Sequence, residues 1–275
     1  MEFCKGGICR QTMKAYIYIA KMKILSALAY RFDVISSVFV RSLVVVATSY
    51  FWIAVYNTQE NAAGVGKEQM LTYSIISAVL SCIFTVDVEN RIINSVREGS
   101  VAMDMLKPVD VFGMYLAEDL GGIITSIFQY ALPVLLVGSL FIHIPVPSSG
   151  LNFLLFVVSA ILSFFINWFF TAIFSMIAFF VIGIEPLRQI KNSLVQILSG
   201  SIVPLWFFPH SLQTVLRFLP FMYLYQLPLS IYIGKNAPID AVRLLGVQCV
   251  WVIILYGIFR LVQKKVFSNI LIQGG

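Results

Sequence analysis

The sequence predicts an all-α integral membrane protein with six transmembrane helices, and three observations carry that reading. Hydrophobic residues make up 59% of the chain and charged residues 12%, where a soluble domain carries about 25% charge. The apolar residues gather into six runs, 34–55, 70–86, 120–142, 151–182, 189–205 and 241–259, each within reach of a helix that crosses hydrocarbon. Of the 19 Lys and Arg residues, only Lys67, Arg217, Lys235 and Arg243 fall in outer segments, and Arg41 lies inside a run. That bias places both termini in the cytoplasm. The pI near 9.1 and net charge of +6 belong to the inner loops and give no reason to expect nucleic acid. The whole chain, 1–275, forms one transmembrane domain.

The segment 1–32 is the N-terminal tail. Within it, Met13, Ile17, Ala20, Ile24 and Leu28 recur at helical spacing, with Lys14 and Lys21 on another face. This pattern predicts an amphipathic interfacial helix whose lysines meet anionic membrane lipids, or an inward extension of the first span. The basic region continues to Arg31 before the apolar run opens, unlike a cleaved signal. Arg41 then sits roughly 10 Å into span 1. It either snorkels to the inner interface or faces a wet cavity, paired with Asp33, Asp87 or Asp119.

Span 2 carries Ser74, Ser77, Ser81 and Thr85 on one side, a small-residue face suited to close helix packing. The segment 87–110 follows, the longest charged stretch between spans. Ile92, Ile93, Val96 and Val101 alternate there with Arg91, Arg97 and Glu98. A short amphipathic helix is expected, turning at Gly99 and stopping at Pro108. A solvated loop has no use for such an apolar face, so the membrane surface or a partner should dock on it. Glu118 and Asp119 open span 3. In span 4, Ser159, Ser163, Asn167, Thr171 and Ser175 form a polar ridge that serves packing or lines a path.

Span 5 shows Gln189, Asn192, Gln196 and Ser199 on one face, and buried amides need partners or water. It leads into a stretch broken by Gly200, Pro204, Pro209 and Pro220. Proline removes an amide donor and clashes with the preceding turn, so no straight helix runs through. Either the helix ends and a proline-rich outer loop follows, or it ends inside the membrane and a re-entrant segment, 206–220, folds back. Trp206, Phe207, Phe208, Leu212 and Phe218 are too apolar for a solvated loop and favour the second. Broken backbone at that depth requires protein or a wet cavity to satisfy its freed groups.

No catalytic constellation emerges. Gly64-Val65-Gly66-Lys67 looks like the tail of a phosphate loop, but Asn61 stands where Gly is needed and Glu68 where Ser or Thr is needed. Cys4, Cys9, Cys82 and Cys249 match no ligand spacing, and His143 and His210 lie apart. No metal site is expected.

Taken together, the basic N-terminal helix, six spans, "RIINSVREGSVAMDMLKPVDVF", "LSGSIVPLWFFP" and the terminal "NILIQGG" resemble the ABC-2 family of permeases. The likeness is to its six-span branch, once filed as a domain of unknown function, with "REG…D…L-[RK]-P" and "QGG" motifs. Lys107 stands where that branch more often has Arg. The resemblance implies the transmembrane permease subunit of an ATP-driven ABC exporter, working with soluble ABC ATPase subunits and a second permease subunit, as homo- or heterodimer. It is not an enzyme itself. It binds no cofactor, and ATP and Mg2+ sit on the partner ATPase.

Segment 87–110 would then be the coupling helix, with Glu89, Arg91, Ile92, Val96, Arg97, Glu98, Gly99, Leu106 and Pro108 at the ATPase. Arg41, Ser81, Gln189, Asn192, Gln196 and Ser199 would line the path for a lipid-like, peptide or amphiphilic drug substrate moving outward across the cell (inner) membrane. The competing reading is an ion-coupled secondary transporter, which Arg41 and the broken stretch support. The absence of intramembrane carboxylates and of an inverted repeat weakens it.

Overall fold

The computed structural model describes residues 6–27, 31–58, 61–62, 64–100, 103–104, 106, 109–141, 149–181 and 183–273. These residues form eleven main helices. α1 (Gly6–Ala27) and α2 (Arg31–Thr58) lead to a two-stranded hairpin, Asn61–Ala62 with Val65–Gly66. α3 (Lys67–Ile83) and α4 (Val88–Glu98) follow. α5 (Val111–Ser126) and α6 (Leu132–Phe141) are joined by a π turn at Ile127–Ala131. α7 (Gly150–Ser175) tightens into a 3-10 turn over Met176–Phe179. α8 (Glu185–Leu198), α9 (His210–Arg217), α10 (Gln226–Tyr232) and α11 (Pro238–Gln273) complete the chain.

Among the described residues, five helical stretches are long and apolar enough to cross a membrane, within Phe32–Asn57, Lys67–Glu98, Val111–Leu140, Gly150–Phe179 and Pro238–Val266. The protein is thus a multi-pass, all-α membrane protein. The run 189–205, counted as the fifth of six spans and expected to end inside the membrane, is not among these five stretches. α8 has 14 residues, roughly 21 Å of helix, short of the ~30 Å hydrocarbon core. It stops because Gly200 adopts φ +81, a left-handed conformation that glycine enters freely.

Helix ends are set locally. The Asp110 carboxylate accepts from the Gly113 amide at 2.7 Å to open α5, and the Ser149 hydroxyl accepts from Leu151 to open α7, each taking up an orphan N–H. α4 ends where Gly99 turns left-handed at φ +70, a common helix stop.

α7 is central. It packs on α4, α10 and α11, while α2 packs on α3 and α6. Gln248 of α11 is fully buried against α7. Its amide donates to Ser159 O, Ser163 Oγ and Tyr223 O, and its carbonyl accepts from Ser159 Oγ.

α1 lies along α5. A Cβ on Gly121 would fall 2.6 Å from the Ala20 carbonyl oxygen, so only glycine permits this approach. The stripe predicted for α1 divides accordingly. Ala20 turns toward α5, Met13 and Ile17 are exposed, and Leu28 lies outside the described residues.

Candidate functional site

The backbone freed by the break after α8 is satisfied by side chains from other helices. The Tyr73 hydroxyl of α3 donates to Gly200 O at 2.6 Å, and Ser77 donates to Ser201 O at 2.6 Å. The Gln226 amide N–H donates to Ser199 O, and its side-chain Oε1 accepts from Leu205 N–H and from Tyr73. Gly200 has no room for a Cβ, which would stand 2.6 Å from Gln226 Oε1. Pro204 precedes a 3-10 turn at Leu205–Phe207, Pro209 precedes α9, and Pro220 opens another 3-10 turn.

In front of this break, α2, α3, α7 and α8 line an open-sided cavity of about 650 Å³. Of the residues predicted for a path, Arg41, Ser81, Asn192 and Gln196 line it. Gln189 is exposed away from it, and Ser199 is buried behind it. Ser74 and Thr85 also line the cavity, as does Ser77 while it donates to Ser201 O. The α7 ridge splits in two. Ser159 and Ser163 pack onto Gln248, whereas Asn167 and Thr171 line the cavity.

Arg41 pairs with none of the carboxylates proposed from sequence. Its guanidinium donates to Cys82 Sγ at 3.7 Å and lies 5.5 Å from the Tyr130 ring centroid. Asp119 instead accepts from Trp168 Nε1 at 2.9 Å and from the Asp87 amide at 3.0 Å, which tethers the start of α4. Asp87 binds Lys23 and Arg91, and Asp33 is exposed.

The apolar face of α4, expected to meet a partner or the membrane surface, is covered within the chain itself. Val88, Ile92 and Ile93 are buried within the chain, against α7 and its 3-10 turn. Glu89 is buried too. Its Oε2 accepts from Lys191 Nζ at 2.8 Å, while Oε1 accepts no hydrogen bond from the described residues. Arg91 pairs with Glu118 and lies over Tyr115, and Val96 is half-buried. Arg97, Glu98, Gly99 and Leu106 remain exposed; Pro108 lies outside the described residues.

Two contacts therefore fasten α4 to α8: Lys191 to Glu89, and Arg188 Nη1 to Asn90 Oδ1 at 2.7 Å. Neither pairing was anticipated from the sequence. The isolated amides Gln226 and Gln248 in apolar runs were the available signal, since such groups demand partners.

The spans, with a cavity between them and a charged helix beside it, define a multi-pass helical membrane protein. Residues 43–274 match the family described as ABC-2 family transporter protein, and the chain belongs to that family. Neither curated proteins nor solved structures gave a match. It is accordingly a membrane transport subunit of an ABC transporter, a class that is not itself catalytic and works with an ATPase partner.

Proposed function

We propose that this chain is one permease half of an ATP-driven exporter, paired with a second permease subunit and two soluble ATPases. Cargo moves outward through the cavity in front of the α8 break. The observation that carries this reading is the double link between α4 and α8, through Glu89–Lys191 and Asn90–Arg188. α8 presents Asn192 and Gln196 to the cavity, so a push on α4 reaches the cavity wall without an intermediary. The exposed end of α4 and the residues beyond it, Arg97, Glu98, Gly99, Met103 and Leu106, form the docking tip. Nucleotide closes the ATPase pair, the tip is displaced, and α8 moves with it. The permease contributes differential affinity for cargo in two states.

The test is purification in mild detergent with a soluble ATPase scored for co-elution. Arg97→Glu or Glu98→Lys should abolish co-elution while membrane insertion and thermal stability stay unchanged. Undiminished capture by both variants would refute the docking role.

A further inference from the structure

We infer that the cavity binds an anionic head group carried on an apolar tail, with Arg41 as its counter-ion. The inference deepens the transport reading, since it names the chemical class of the cargo. Three charged residues line the cavity: Arg41, Lys191 and Glu89. Lys191 and Glu89 neutralise one another at 2.8 Å. Among the described residues, Arg41 contacts the Cys82 thiol and the Tyr130 ring and pairs with no carboxylate. The carboxylates of neighbouring elements are committed elsewhere, Asp87 to Lys23 and Arg91 and Asp119 to Trp168 and the Asp87 amide. One positive charge is thus left facing the cavity.

A guanidinium within a membrane span is costly unless an anion or water meets it, and its planar fork suits phosphate or carboxylate. The amides of Asn192 and Gln196 offer N–H donors to the same space. Val40, Val44, Trp52, Val195 and Ile202 supply apolar wall, which a tail can cover and a free anion cannot. A cationic amphiphile would find its sole carboxylate already held by Lys191.

The experiment is calorimetric titration of the purified chain in neutral maltoside detergent. The probes are dodecyl phosphate, inorganic phosphate and dodecyltrimethylammonium. Dodecyl phosphate should bind saturably, and inorganic phosphate at least about tenfold more weakly because the tail contact is lost. Arg41→Gln should weaken dodecyl phosphate by about tenfold or more, with Arg41→Lys within a few-fold of the native chain.

Equal binding by Arg41→Gln, or preference for the trimethylammonium probe, would overturn the proposal. Equal affinity for inorganic phosphate would refute the tail requirement. Should Arg41→Gln not fold, Asn192→Asp leaves Arg41 in place and adds a competing carboxylate. It should weaken dodecyl phosphate, and unchanged dodecyl phosphate binding there would equally overturn the proposal. No ATPase enters this measurement, so its failure is distinct from a failure of the docking experiment.

Discussion

At the scale of single residues, the Tyr73 hydroxyl holds the break after α8 by donating to Gly200 O. Tyr73→Phe leaves that buried carbonyl without its donor, a loss of about 1–3 kcal/mol. Thermal unfolding in detergent should show the decrease, and an unchanged midpoint would mean that another donor takes over. The Glu89–Lys191 pair has side chains only 10% and 5% exposed. Lys191→Met strands a buried carboxylate and should destabilise by about 3–5 kcal/mol, whereas the double change Glu89→Met with Lys191→Met should recover most of it. Chain position explains which of these features could be read in advance. Gly200 and Pro204 announce a break by their own backbone chemistry. Tyr73 and Lys191 find their partners across more than a hundred residues, and no local pattern encodes such a pairing.

At the scale of elements, the apolar face of α4 was legible from its spacing, but the surface that covers it was not. Amphipathicity states that a face will be buried and is silent on what buries it. The docking tip proposed above is accordingly drawn from the exposed end of the helix and the residues that follow. The run 189–205 counts as a span by hydropathy, yet a left-handed glycine cuts it to a helix of 14 residues. Hydropathy cannot register this because it carries no backbone geometry. The α1–α5 contact gives the adjacent glycines opposite fates. Gly121→Leu meets the Ala20 backbone and should detach α1, seen as faster limited proteolysis of the first 27 residues. Gly122→Leu, with nothing within 4 Å of its Cβ, should leave cleavage unchanged.

At the scale of the molecule, the family and the all-α membrane architecture were legible because they reside in composition and in contiguous motifs. The cavity was half legible. Arg41, Ser81, Asn192 and Gln196 were identified as polar residues in apolar surroundings, and the structure gathers them around one space. Gln189 and Ser199 share their helical stripe but face elsewhere, since a stripe on an isolated helix does not reveal where the neighbouring helices leave a gap. In the proposed cycle, α4 drives α8 and thereby opens this cavity outward. Its most direct test uses Gln196→Cys in a chain whose four native cysteines are replaced by alanine, reconstituted in vesicles with the ATPase. Labelling by a membrane-impermeant maleimide is then timed from each side. Reaction is expected from the inner side without nucleotide and from the outer side with ATP bound. Reaction from the same side at the same rate in both states would contradict it.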